Sequence, residues 1–164
     1  MASNMDNHDR LYNQLATTAT NFILATSPTT PGTNHHDGTA FLSLCSPNFT
    51  HTWGHSHFVT TNPGVQGEID GQGFLDRMNK LSSRMETWTI KPTETLVDVK
   101  KRQVVIRADF AIVIPGYEPV VNDIVWFVTV DESGEMVVGS REFIDPVAAG
   151  VLREQMMGGG HKGA

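Results

Sequence analysis

Apolar residues in the first part of the chain recur with the period of a helix. Leu11, Leu15, Ala19 and Phe22 fall on one face, and the pattern stops before Ser27-Pro28-Thr29-Thr30-Pro31-Gly32, whose prolines and glycine make a loop. Phe41, Leu42, Leu44 and Cys45 predict a short second helix ending before Pro47. Phe74, Met78, Leu81 and Met85 form the stripe of a third, with Asp70 placed to cap its N-terminal end. Beyond Met85 the period shortens to that of strands. Runs from Glu86 to Val99, Gln103 to Ile114, Val120 to Val130 and Glu135 to Ile144 are separated by Lys100-Lys101-Arg102, Pro115-Gly116-Tyr117-Glu118-Pro119 and Asp131-Glu132-Ser133-Gly134. Asp145-Pro146 then reads as a cap followed by proline at the first helical position, opening a last helix through Val147, Val151 and Leu152. This order predicts an α+β fold, a curved antiparallel β-sheet packed with N-terminal helices. Its concave side leaves a cone-shaped cavity.

No repeat or linker divides the 164 residues, so one domain over residues 10 to 157 is expected, with mobile tails at 1 to 9 and 158 to 164. The 12 Lys and Arg against 18 Asp and Glu give a formal charge of −6. That balance argues against nucleic acid and anionic membrane surfaces as partners, since both need a cationic face. Cys45 is the sole cysteine, which rules out an intramolecular disulfide and fits a reducing compartment. No apolar run approaches the roughly 20 residues that span a bilayer, and the polar N-terminus, with Asp6 and Asp9, does not resemble a secretory signal. A cytoplasmic protein is expected.

Two groups of residues carry candidate chemistry. In Phe49-Thr50-His51-Thr52-Trp53-Gly54-His55-Ser56-His57, strand alternation would put His51, Trp53, His55 and His57 on one side if the segment stays extended. Such a face fits acid–base work by imidazole or, through the His55-x-His57 spacing, a metal pair without a clear third ligand. It equally fits a polar strand running out into a loop near Gly54 with solvated histidines. The second group is carboxylic. A tight turn at residues 131 to 134 would set Asp123 opposite or one step from Glu142, and two acids so close would push one pKa up. Alternatively both face water, or Arg107 or Arg141 neutralises them. Arg107 and Asp109 interrupt an apolar run and are expected to face solvent or a partner. Asp70 and Asp145 read as helix caps, Tyr117 as a turn residue and Cys45 as a buried thiol. Gly71-Gln72-Gly73 does not follow a strand as a phosphate loop requires.

In the order and spacing of Ser46-Pro47-Asn48-Phe49-Thr50-His51, Asn122-Asp123, Asp131-Glu132-Ser133-Gly134 and Arg141-Glu142-Phe143-Ile144-Asp145, the chain resembles the SnoaL-like group of the nuclear transport factor 2-like superfamily. Within it, the chain is similar to the small fungal isomerases and cyclases of meroterpenoid and related natural-product pathways. The resemblance runs from Cys45 to Met157. It implies a cone usually dimerised through its sheet, a homodimer without metal or other cofactor, and rearrangement of a hydrophobic small molecule by proton transfer. It also places His51, Asn122, Asp123 and Glu142 around the cavity. The chain departs from the pattern at Cys45, where relatives often carry arginine, at the His55/His57 pair and at the loop from Ser27 to Gly38.

The leading reading is an isomerase or cyclase acting on a secondary-metabolite intermediate. His51, Asp123 and Glu142 are its candidate acids and bases, Asn122 orients an oxygen, and Trp53, His55, Phe110 and Trp126 bind substrate. Two alternatives stay open: a non-catalytic ligand- or protein-binding module of the same fold, and an epoxide-hydrolase-like enzyme with a carboxylate–water–amide arrangement.

Overall fold

The computed structural model describes residues 2–158, so the tail at 159 to 164, with His161, lies outside the described residues. The first helix, α1 (Ala2–Leu24), begins nine residues before Leu11, where the apolar period starts. Apolar spacing marks the docked face of a helix, whereas its i to i−4 backbone hydrogen bonds set its length. Leu15, Ala19, Phe22 and Ile23 are fully buried. Asp37 caps α2 (Gly38–Leu44) by accepting from the Thr39 and Ala40 amides, and α2 runs directly into β1 (Cys45–Trp53). After β1 come α3 (Ser56–Thr61), a 3₁₀ turn at Pro63–Val65 and α4 (Gly71–Ser82), which Asp70 caps as expected.

The predicted meander is present as β2 (Thr87–Asp98), β3 (Gln103–Val113), β4 (Val120–Val130) and β5 (Val137–Phe143), followed by α5 (Pro146–Met156) capped by Asp145. These four strands pair antiparallel, and β1 adds a fifth, parallel to β5, giving the order β1-β5-β4-β3-β2. The β2–β3 register slips between Pro92 and Glu94, where proline cannot donate to the ladder. On the inner face Val104, Ile106, Ala108, Phe110 and Ile112 of β3 stand beside Ile124, Trp126, Val128 and Val130 of β4, all buried. Phe22, Phe41, Phe49 and Phe74 meet in tilted and stacked contacts above them. No described helix is long and apolar enough to cross a membrane.

His36, in the loop between α1 and α2, is buried edge-on to Trp88, and its Nε2 has no hydrogen-bond partner. Burial and the neighbouring His35 push its pKa down, and Asp37 only partly opposes them. The unfolded chain therefore takes up a proton at His36 that the folded chain refuses, so this site destabilises the fold as the pH falls below about 6.5. The drop in urea midpoint between pH 7.5 and pH 5.5 is expected to be smaller in His36→Leu than in the wild type. An equal drop would remove His36 from the acid response.

Candidate active site

The sheet's inner face is covered by α1 at one end only. At the other, α4, α5 and the segment carrying α3 and the 3₁₀ turn enclose a cavity of about 620 Å³. Its walls are mainly apolar, with Trp53, Phe74, Met78, Trp88, Phe110, Ile124 and Leu152 among them. Such a volume suits a drug-sized molecule. Few polar groups reach it: Glu142 and Asn122 from the sheet, Arg77 and Arg84 from α4 and the residues just after it, Arg153 from α5, and Asn62.

Strand register explains how Glu142 comes to lie there. Parallel pairing sets His51 beside Ser140 and Trp53 beside Glu142, while antiparallel pairing sets Trp126 beside Glu142. Alternation then turns His51, Ser140, Glu142 and Trp126 to the same inner face. His51 Nδ1 and Ser140 Oγ share a hydrogen bond of 2.8 Å, and His51 Nε2 lies 3.5 Å from Glu142 Oε2. The imidazole is completely buried, whereas the Glu142 side chain keeps 12% of its surface exposed. Trp53, Phe74 and Trp126 pack around the His51 ring, which fixes its plane. His51 Nε2 is buried without a hydrogen-bond partner among the described residues and is near the Glu142 carboxylate through its 3.5 Å separation alone. Glu142 thus faces the cavity, with the His51 ring behind it.

Arg77 is fixed by three neighbours. Its guanidinium lies 4.7 Å above the Trp53 ring, donates to the Gly64 carbonyl, and feels the charge of Glu142, which opposes the downward push of burial on its pKa. Asn122 is buried and its Oδ1 accepts from the Asp145 amide at 3.0 Å, which leaves its NH₂ group as the free donor end. The site therefore combines one carboxylate with two fixed donors on an apolar wall.

No protein-family model and no curated protein matches this chain. Solved structures do. PrhC from Penicillium brasilianum NBRC 6234 aligns with a TM-score of 0.72 at 15% identity, covering 91% of this chain and 91% of that one. BvnE pinacolase from Penicillium brevicompactum gives 0.71 at 16% identity over 90% and 94% of the two chains. A protein described as a SnoaL-like polyketide cyclase, from Jannaschia sp. CCS1, gives 0.62 at 15% identity over 87% and 92%. The chain has the same fold as these SnoaL-like and nuclear transport factor 2-like structures.

Within this SnoaL-like cone, the residues singled out from sequence separate into two sets. Glu142, Asn122, Trp53 and Phe110 line the cavity, and His51 stands directly behind Glu142. Asp123 does not join them. It points from the opposite face of the sheet into a two-point pairing with Arg107, with Nη2–Oδ2 at 2.6 Å and the two side chains 47% and 41% exposed. The guanidinium's hydrogen bonds hold its carboxyl below the usual range, the reverse of what a carboxylate pair with Glu142 would do. The cause is the turn. It spans Asp131 to Met136 and the pairing slips again between Thr129 and Val130, so Trp126 rather than Asp123 faces Glu142.

His55 also falls outside the cavity. β1 stops at Trp53, Gly54 follows, and His55 turns left-handed with φ 59° before α3. Its ring is exposed and packs on Phe143, while His57 is exposed on α3. The extended face of histidines is therefore cut short, and no metal-ligating cluster occurs among the described residues. Gly54 is required at this point, because a Cβ there would lie 2.1 Å from the Phe143 ring. Trp126 is a core residue beneath His51 rather than a cavity wall. Cys45 is buried, its thiol pushed up to about 12 by burial.

Arg77, Arg84, Arg153 and Ser140 were not among the residues picked from sequence. For the first two a signal existed: positions 77 and 84 interrupt the apolar stripe of Phe74, Met78, Leu81 and Met85 at helical spacing. A charged residue recurring on a core-facing stripe marks a polar site in the space it faces.

Proposed function

We propose that this protein is a cofactor-independent isomerase or cyclase that rearranges a hydrophobic intermediate of the polyketide or terpenoid type. The observation that carries the reading is Glu142, the one carboxylate among the described residues in the wall of an apolar cavity, backed by the buried His51–Ser140 pair. In the proposed step the Glu142 carboxylate takes a proton from carbon next to a carbonyl. The C–H electron pair forms the enolate double bond, and the oxygen that gains charge is met by Arg77 and the Asn122 amide. The carboxylic acid then returns the proton at a second position, so no atom is gained or lost. His51 does not touch the substrate. It acts as a positioning residue that supports Glu142 from the buried side. A pinacol-type shift, the chemistry in the name of BvnE pinacolase, needs the same pair of transfers, one to a departing hydroxyl and one from a retained hydroxyl. The pinacolase and polyketide-cyclase names of two neighbours support this class of chemistry.

The hydrolytic alternative is less well supported, because Asp123 lies on the far face and Asn122 Oδ1 is engaged by Asp145.

A substrate-independent test follows exchange of the α-protons of 2-tetralone in D₂O by NMR. The protein is expected to accelerate exchange clearly over buffer. Ala149→Trp, which fills the cavity from α5, is expected to remove about ten-fold or more of that acceleration, since productive orientation is lost. Exchange at the buffer rate with the wild-type protein would overturn the reading.

A further inference from the structure

The charges around the cavity do not balance. Among the described residues lining it, Glu142 is the only acid, against Arg77, Arg84 and Arg153. Arg77 is tied to Glu142 by charge and to Trp53 and Gly64 by contact. Arg84 and Arg153 are exposed, and neither has an ion pair or a side-chain hydrogen bond among the described residues. Two uncompensated cations thus project from different elements onto one cavity, in a chain whose formal charge is −6. The end of a helix favours a cation, which accounts for Arg153 in the last turn of α5. Helix polarity does not account for two guanidinium groups sharing one apolar chamber.

A second recess adjoins the cavity through Arg84, Met85 and Met156, which line both. It also holds Gln155, whose Oε1 is buried without a hydrogen-bond partner. Arg84 therefore borders both spaces.

We infer that the cavity takes an acidic hydrophobic molecule, its carboxylate held by Arg84 and Arg153 and its apolar body lying along Trp88, Phe110 and Ile112 towards Glu142. The inference rests on the reading of this cavity as the substrate site and adds the substrate's charge to it. Guanidinium groups suit a carboxylate because their donors match its two oxygens, and beside an apolar wall the pairing is less screened than in open water. The arrangement also separates the roles of the ends. A carboxylate held by these two arginines is kept away from Glu142, which it would repel, so the reacting carbon is the part delivered to the proton-transferring group.

The test uses two fluorescent probes with the same ring system, 1-pyrenebutyric acid and its methyl ester, titrated into the protein at low ionic strength. The acid is expected to bind about ten-fold more tightly than the ester, and the preference should shrink as salt is added. In Arg84→Gln/Arg153→Gln, its folding checked by melting temperature, the acid is expected to lose that advantage and bind within about two-fold of the ester. Single substitutions keep the proposal testable should the double variant fail to fold, each removing part of the preference. Equal binding of acid and ester by the wild type, or a preference that survives the substitutions, would overturn the acidic-substrate inference alone. Binding of neither probe would overturn it together with the cavity reading. Acid preference without Glu142-dependent tetralone exchange would uphold it and count against the proton-transfer mechanism.

Discussion

Glu142→Gln is expected to slow exchange of the 2-tetralone α-protons by about 10²–10⁴-fold, the range that a positioned acid or base contributes. The amide has nearly the shape of the carboxylate, so Trp53 beside it on β1 and Trp126 beside it on β4 keep their packing. What disappears is the proton acceptor. Arg77 also loses the only acid among the described residues lining the same cavity, so its charge is less compensated. Glu142→Asp separates the two effects, since it keeps the charge but draws the carboxyl back by one methylene. A rate between those of wild type and Gln is expected from the lost alignment. NMR exchange rates at equal protein concentration, read beside unchanged circular dichroism, check both variants. Wild-type exchange in the Gln variant would mean that another group moves the proton.

Trp88→Ala should have the largest effect on stability. Trp88 is the largest kind of side chain in the core, 2% exposed, and its indole N–H donates to the Thr26 carbonyl at 2.9 Å, just past the end of α1. Truncation leaves a hole, strips His36 of its ring contact and leaves the buried Thr26 carbonyl without its donor. Aromatic-to-alanine changes of this kind cost about 3–5 kcal/mol, which for a domain of this size lowers the melting temperature by about 6–20 °C. Trp88→Phe should recover much of the packing but not the hydrogen bond. Urea unfolding with an unchanged slope would show that the native state, and not the compactness of the unfolded chain, has changed. A shift in melting temperature of a degree or less would mean that the surroundings of Trp88 are far looser than its burial indicates.

The limits of sequence reading are clear at particular residues. The four meander strands and helices α1, α2, α4 and α5 are legible because apolar period and turn chemistry agree, with Asp70 and Asp145 as caps of α4 and α5, whereas the short α3, with no buried residue, has no such period. The role of β1 was harder to see. Parallel pairing with a strand that follows it by more than eighty residues leaves no local trace, yet it is this pairing that joins His51 to Ser140, 89 residues away. The face of Asp123 was illegible for another reason. β4 carries apolar residues at both parities, with Val121, Val125 and Phe127 on the outer side, so hydrophobic alternation does not say which face is the core. The longer turn and the slip at Thr129 then moved the pairing. Glu142 and Asn122 are expected at the cavity independently of that turn, whereas an Asp123–Glu142 partnership depends wholly on a tight hairpin.

The pairing of the first strand with the last has a consequence for biosynthesis and for engineering. His51 is made early and Glu142 late, and nothing holds one near the other until the sheet's edge closes around β5. Contacts between such distant segments form late and at high entropic cost. A chain still emerging from the ribosome, or one cut anywhere between these strands, carries half of the constellation and none of its chemistry. Two fragments divided at the exposed β2–β3 turn should regain function only on reassociation, which makes that turn a natural place to split the protein into a reporter.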